Sequence, residues 1–301
     1  MTTWMKLIPV GLVQPYNLLL VPKNLYNMSI GFQYYRRIPE IIQKLLKDDN
    51  GVLRIGQNWD ISHFDADVNA WMTDIAFNIL RENITFPDTM SEQAFDYSQH
   101  FFKNTVVVMP DGRMWAKKSG VPSGSYFMID SIVNYLAVTY TQLNTWGTHF
   151  PPFVLGDDSA FSHPQALGIP DHTIVCKHMS DFGFTLHPEK CKTALRPSDF
   201  EYLGHTARGL RCDRPTDVAL QLALFPEHPS LHPSVSVDRV RGLLVDTALN
   251  NWAIVHLYRY MVRKYNALLP TQEHTTHWLQ NAMMWKYHPN DADILKAWLL
   301  T

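Results

Sequence analysis

The sequence of 301 residues lacks the disulfide bonds and zinc sites that stabilise many small or extracellular proteins. Its three cysteines, Cys176, Cys191 and Cys212, are too few and too scattered for a disulfide framework or a paired-cysteine zinc site, which favours a reducing compartment. Charged residues make up only 18% of the chain and hydrophobic residues 46%, which excludes a disordered tail, a collagen-like fibre and a low-complexity linker. The net charge of -2 argues against a protein that coats nucleic acid by charge alone.

Long hydrophobic runs are also missing. The apolar stretch from Leu7 to Val21 is interrupted by Pro9, Gly11 and Pro15, far short of the roughly 20 residues that a membrane span needs. We predict that this stretch is buried extended chain in a soluble, unexported protein. No sequence repeat with a period of about 20–50 residues is present, which excludes a solenoid or a propeller.

The apolar pattern predicts mixed α and β elements up to Pro215 and helices after it, so the best domain break follows Pro215. Hairpins are predicted at Thr105–Trp115, Phe153–Phe161 and Phe200–Cys212. Helices are predicted from Val68 with Asp67 as N-cap, from the Ser119–Ser125 loop to Tyr140, between Asp171 and Gly183, from Ser236 to Asn250, and from Trp252 and Thr275 onward.

Aspartates stand at the ends of two predicted strands. Gly156, Asp157 and Asp158 occupy the tip of a hairpin, where these residue types are common in ordinary turns. Asp60 ends another apolar segment, and adjacent carboxylates cannot all stay ionised without a cation. Hard oxygen ligands select Mg²⁺ or Mn²⁺ over zinc, and two such ions about 3.5–4 Å apart would serve phosphoryl transfer.

A loop of small residues, Ser119–Ser125, lies between these aspartates in the sequence and opens a predicted helix. Small side chains let the backbone approach a ligand closely, and a helix N-terminus favours phosphate. The order of carboxylate strand, glycine loop with helix, and carboxylate hairpin is far more specific than any of the three alone.

In this order the motifs resemble those of viral RNA-dependent RNA polymerases, above all the enzymes of partitiviruses and related double-stranded RNA viruses. The resemblance covers about residues 50–215. It rests on Asp60–Asp65 for the first palm motif, Pro110–Arg113 with Ser119–Phe127 for the second, Val154–Ser159 for the third, Phe182–Lys190 for the fourth, and Phe200–Gly204 for the primer-grip hairpin.

The resemblance implies an α+β fold: a right-hand polymerase palm, built of an antiparallel sheet with packed helices, followed by a helical thumb. Residues 1–50 would be a remnant of the fingers and the lead-in to the palm. Residues 51–215 would form the palm, with a short fingers insertion around 86–118, and residues 216–301 the thumb. Since the fingers are largely missing, we expect a fragment of a longer polymerase or one part of a split enzyme.

The resemblance also assigns roles to single residues. Asp60 and Asp157 would hold two Mg²⁺ or Mn²⁺ ions, with Asp158 assisting, and Lys190 would protonate the departing pyrophosphate, with Lys192 as its rival. Substrate recognition, chiefly of the nucleotide ribose, would fall to Asp65, Ser123, Gly124 and Asp130. The chain departs from the family pattern after Phe127, where two residues are missing. This would rotate the helix that carries Asp130 by roughly 200° unless the loop absorbs the change.

The implied function is RNA-directed RNA polymerisation in the replication and transcription of a double-stranded RNA genome. A reverse transcriptase is a less favoured neighbour, and the alternative of another class is a catalytically incomplete or silent subunit that binds RNA or a partner. The expected partners are template and nascent RNA, nucleoside triphosphates, and a viral capsid protein or a separately encoded fingers segment, with no membrane. The expected location is the host cytoplasm, inside the viral particle.

Overall fold

The computed structural model describes residues 34–47, 51–117, 119–122, 128–209, 211–226, 233–247 and 250–265. Strands and helices are mixed along the chain up to residue 213, and only helices follow among the described residues. The elements are α1 (Tyr34–Leu46), β1 (Arg54–Asn58), β2 (Ile61–Ser62), α2 (Phe64–Asp67), α3 (Ala70–Glu82), α4 (Thr89–Asn104), β3 (Val106–Val108), β4 (Met114–Ala116), α5 (Ile129–Trp146), β5 (Phe153–Leu155), β6 (Asp158–Pro164), α6 (His172–Phe182), β7 (Thr185–Leu186), β8 (Lys192–Ala194), β9 (Thr206–Arg208), β10 (Arg211–Asp213), α7 (Thr216–Leu224), α8 (Pro233–Asp246) and α9 (Trp252–Tyr265).

The described residues fall into two compact units. The first unit contains residues 51–195, and the second unit contains residues 34–47 together with residues 196–265. The α+β fold with antiparallel strands that the sequence predicts is confirmed in both. None of the helices in the described part of the chain is long and apolar enough to cross a membrane.

A four-stranded antiparallel sheet organises the first unit, in the order β5-β6-β1-β8. The strand β1 lies in its middle, with Asn58 opposite Ala160 of β6 and opposite Lys192 of β8. The short pairs β2–β7 and β3–β4 lie outside this sheet. The hairpin β3–β4 confirms the one predicted at Thr105–Trp115, and β5–β6 confirms the one predicted at Phe153–Phe161.

Helices α3, α5 and α6 pack with this sheet around one apolar core. The core holds Trp59, whose indole stacks on Trp146 and meets Phe161 edge to face. The predicted ends of α6 are confirmed, because Asp171 accepts a hydrogen bond as N-cap and Gly183 takes the left-handed C-cap conformation. The predicted cap of α3 was wrong: the helix begins at Ala70, and the Asn69 side chain caps it.

The second unit combines the hairpin β9–β10 with α1 and the helices α7, α8 and α9. Its helical core contains Ala219, Val240, Leu244, Ile254 and Tyr258. The predicted third hairpin is shifted along the chain. Its strands pair around Gly209, whereas Tyr202 forms only an isolated bridge with His205.

A polar network ties β9–β10 to α8 within this unit. The Nε2 atom of His205 lies 2.7 Å from Oδ1 of Asp246, and Arg214 donates from Nε to Oδ2 of Asp246 at 2.9 Å. Burial opposes ionisation of Asp246, but its interactions with His205 and Arg214 outweigh burial and hold its pKa below the usual range. These partners matter because a carboxylate at a helix C-terminus is otherwise unfavourable.

We expect Asp246→Asn to lower the free energy of unfolding by about 3–5 kcal/mol, since it breaks a mostly buried ion pair. The folded-state pKa of Asp246 is depressed, so its stabilisation is complete above the unfolded pKa of about 3.9 and is lost as pH falls through the folded value. Thermal denaturation between pH 3 and pH 7 checks this, because the difference from the wild type should shrink below pH 4. The control is Asp181→Asn. Asp181 is exposed and lies 3.7 Å from His178, so the loss of this contact should change the free energy of unfolding little.

Candidate active site

Asp60 lies just beyond the end of β1, where its neighbours fix the backbone. The preceding Trp59 is almost completely buried, and the carbonyl of Asp60 accepts a hydrogen bond from the His187 backbone at 2.8 Å. The Asp60 side chain is 37% exposed, and its Oδ1 lies 3.8 Å from Nζ of Lys190. The strand end therefore presents this carboxylate to solvent beside one lysine.

Asp157 lies in the two-residue turn between β5 and β6, which Leu155 and Asp158 close as a pair. Gly156 takes φ +59° there, as the first central residue of a type II′ turn does. Asn58, two residues before Asp60, pairs with Ala160, two residues after Asp158, and Ser159 donates from Oγ to the carbonyl of Trp59 at 3.3 Å. The two carboxylates thus come to the same end of the sheet, as the sequence predicts.

The carboxylates at this end of the sheet affect one another. Burial raises the pKa of Asp157, and the negative charges of Asp65 and Asp60 raise it further. Burial likewise raises the pKa of Asp130, and the charges of Asp65 and Asp157 add to this effect. Four aspartates from three separate segments of the chain therefore share one region of negative potential.

The described part of the glycine loop lies against the segment that carries Asp65. Val121 donates from its backbone to the carbonyl of Asp65 at 2.8 Å, and Gly120 donates to the carbonyl of Val68 at 2.6 Å. Lys117 supports the loop by donating from Nζ to the carbonyl of Gly120 at 2.9 Å. Asp65, exposed in the short helix α2, is held beside this loop.

The remaining predicted site residues are placed as follows. Asp158 begins β6 and is exposed, and Lys192 is exposed in β8, opposite Asn58. Asp130 lies in the first turn of α5, where its Oδ2 is 3.6 Å from the position that a Cβ on Gly156 would take. The two missing residues of the second motif therefore do not carry Asp130 away from Asp157. Ser123 and Gly124 lie outside the described residues.

Two buried residues that reach this site were missed in the sequence. Ser131 and Asn134 of α5 contact the backbone of the turn that carries Asp157. Their positions could have indicated this role. The two polar residues are three positions apart on the apolar face of the helix, where a buried polar side chain needs a hydrogen-bond partner.

The donor chemistry of the site fits a hard divalent cation. Among the residues that the structure describes, no group of three His, Cys, Asp or Glu side chains is close enough to form a metal site. Nevertheless, Asp60 and Asp65 both disfavour the charged form of Asp157, and a cation between them would relieve this repulsion. Carboxylate oxygens are the ligands that Mg²⁺ and Mn²⁺ prefer.

An α+β fold with clustered aspartates beside a glycine loop is typical of enzymes that act on phosphate groups. The sequence model of the viral RNA-dependent RNA polymerases matches residues 18–262. The chain belongs to this family, which confirms the resemblance seen in its motifs. No curated protein sequence matches it.

Solved structures resemble the chain in fold. An insertion loop deletion mutant of the RNA-dependent RNA polymerase of a human picorbirnavirus gives a TM-score of 0.68 at 15% identity, covering 98% of this chain and 57% of that chain. The RNA-dependent RNA polymerase of a human picorbirnavirus gives 0.65 at 16% identity, covering 86% of this chain and 50% of that chain. The chain thus spans about half the length of these polymerases.

Proposed function

We propose that the chain catalyses RNA-directed RNA synthesis for a double-stranded RNA virus of the partitivirus-like group. The observation that carries this proposal is the convergence of Asp60, Asp65, Asp130 and Asp157 at one end of an antiparallel sheet, in a member of the polymerase family. The four lie in the order of the first three palm motifs.

In the proposed reaction the 3′-hydroxyl oxygen of the nascent RNA attacks the α-phosphorus of a nucleoside triphosphate, and the bond to pyrophosphate breaks. Asp60 and Asp157 would hold two Mg²⁺ or Mn²⁺ ions, with Asp158 assisting. Bound there, the ions supply charge neutralisation for the attacking and leaving oxygens. Asp65, on the loop side of the site, would orient the ribose.

Three further residues would contact the substrate. Asp130 lies at the turn that carries Asp157 and would contact the ribose with Asp65, and Ser123 and Gly124 of the glycine loop would join them. Positioning and charge neutralisation by such groups supply most of the catalysis in phosphoryl transfer.

The proposed organisation assigns residues 51–215 to the palm, with a fingers insertion around 86–118, and residues 216–301 to the thumb. Residues 1–50 would lead in from the fingers. The partners would be template RNA, nascent RNA and nucleoside triphosphates, together with a capsid protein or a separately encoded fingers segment. The site of action would be the host cytoplasm, within the viral particle.

The test is primer extension on an RNA template in Mg²⁺ or Mn²⁺, comparing the purified chain with Asp157→Asn. Extension by the wild type that is lost in the variant supports the proposal. Extension that survives in the variant would refute the assignment of Asp157.

A second candidate is a catalytically incomplete subunit that binds RNA or a partner. One observation favours it: the described carboxylates form no three-ligand group. Absence of extension in wild type and variant alike, with RNA binding retained, would support this candidate.

Lys190 and Lys192 are the two candidates for the general acid that protonates the departing pyrophosphate. The ammonium group of Lys190 lies 3.8 Å from Asp60, whereas Lys192 is two residues further on, in β8. We expect Lys190→Gln to lower the rate of nucleotide addition by roughly 10²-fold, since general acids contribute about 10²–10⁴-fold. Lys192→Gln should leave it nearly unchanged. Single-nucleotide addition kinetics check this, and the reverse order would make Lys192 the acid.

A further inference from the structure

The turn that carries Asp157 has weak support from its own sheet. Strand β5 has only three residues and lies at the edge of the sheet, so few ladder hydrogen bonds hold it. A short hairpin at an edge is marginally stable unless other elements pack on it. The turn therefore needs contacts from outside the sheet if Asp157 is to keep one position.

Helix α5 supplies these contacts from two side chains one helical turn apart. Asn134 donates from Nδ2 to the carbonyl of Gly156 at 2.9 Å and to the carbonyl of Asp158 at 3.2 Å. Ser131 accepts on Oγ the hydrogen bond from the Gly156 backbone N–H at 2.9 Å. Three backbone groups next to Asp157 are thus bonded to one helix face.

Both side chains are buried, Ser131 with 1% and Asn134 with 0% of its surface exposed. Two carbonyl acceptors can be satisfied only by the NH₂ group of the amide, which fixes its orientation. The other atom, Oδ1 of Asn134, has no hydrogen-bond partner within the described part of the chain. Because a buried unpaired oxygen costs stability, the contact with the turn is the feature that explains an asparagine here.

The same turn of α5 also carries Asp130. The Ser131 backbone N–H donates to Oδ1 of Asp130 at 2.8 Å, and the Asp130 carboxylate approaches Gly156. One helix end therefore sets where Asp130 lies and where the Asp157 turn lies.

We infer that Ser131 and Asn134 are positioning residues that clamp the Asp157 turn to α5 and so fix the distance between the proposed metal-binding and ribose-binding carboxylates. This inference rests on the proposed function. A misplacement of about 1 Å at a reacting group can cost roughly 10²-fold in rate, so the clamp should act on kcat rather than on substrate binding.

The experiment compares the wild type with Asn134→Asp, which keeps the shape but replaces the donor by a carboxylate, and with Asn134→Leu, a neutral variant in case the charged one does not fold. The matched control is Asn144→Asp on the exposed face of the same helix, where the amide donates to the carbonyl of Tyr140. Hydrogen exchange of the peptide 153–160 is measured without metal or RNA, alongside single-nucleotide addition.

We expect both Asn134 variants to lower kcat by roughly 10-fold to 100-fold with the nucleotide KM unchanged within about twofold. Exchange in the peptide 153–160 should become at least about threefold faster, since the turn loses two bonds. Asn144→Asp should change neither. Ser131→Thr, which keeps the hydroxyl acceptor, should retain more activity than Ser131→Ala.

Unchanged exchange and unchanged kcat in the Asn134 variants would overturn the clamp. So would a rise in nucleotide KM at constant kcat, because that pattern places Asn134 in substrate binding. If the wild type itself extends no primer, the proposed function fails, and exchange alone decides the clamp: acceleration confined to 153–160 supports it, and none refutes it.

Discussion

Asp157→Asn should abolish nucleotide addition and at the same time raise the melting temperature of the protein in metal-free buffer. Activity should fall by roughly 10³-fold or more, because ions held by the carboxylates supply several kcal/mol of transition-state stabilisation and each ~1.4 kcal/mol is tenfold. Stability should rise slightly, because partial burial and the charges of Asp65 and Asp60 disfavour the ionised Asp157 carboxylate, while its exposure to solvent screens part of this effect. An asparagine fits the same turn without the charge.

Differential scanning fluorimetry with and without Mn²⁺ separates the two effects. Mn²⁺ should raise the melting temperature of the wild type more than that of Asp157→Asn, since binding to the native state stabilises it. Glu82→Gln removes one exposed carboxylate in the same unit and should change neither activity nor the response to Mn²⁺. A fall in melting temperature of Asp157→Asn without metal would contradict the repulsion among these aspartates.

Gly120→Ala should destabilise the protein by about 2–4 kcal/mol and weaken ribose discrimination. Gly120 has φ +92°, and a Cβ there would lie 3.0 Å from the backbone carbonyl oxygen of Asp65. The positive φ costs about 1–2 kcal/mol in a residue with a side chain, and hydrogen bonds lost in relieving the contact cost about 0.5–1.5 kcal/mol each. The bonds at risk are those to the carbonyls of Val68 and Asp65.

Gly112→Ala is the matched control, because Gly112 has φ +82° with nothing within 4 Å of the added Cβ. In urea denaturation, Gly112→Ala should lower the free energy of unfolding by about 1 kcal/mol, which is the backbone strain alone. Since relief of the Gly120 contact displaces Asp65, the preference for ribonucleotides over deoxyribonucleotides should fall in Gly120→Ala only. Equal losses of stability in the two variants would mean that the loop adapts to the methyl group.

The sequence predicts the ends of an element correctly where a single residue type determines the local backbone conformation. Asp171 and Gly183 delimit α6 because a carboxylate can cap the free N–H groups and a glycine can take the left-handed conformation that ends the helix. The start of α3 was misplaced because the apolar pattern begins at Val68, which made Asp67 the predicted cap, whereas the helix begins at Ala70. Only the folded backbone shows that Asn69 accepts the bond from Met72.

The sequence by itself determined two of the three predicted antiparallel hairpins, the strand-end aspartates and, through the order of its motifs, the polymerase family. Turn chemistry and alternation are local, so a short window carries them. Only the tertiary structure decided that Asp130 lies at the Asp157 turn despite the shortened second motif, that Lys190 lies 3.8 Å from Asp60, and that Asn134 holds the turn. These are distances between segments far apart in the chain, and packing sets them.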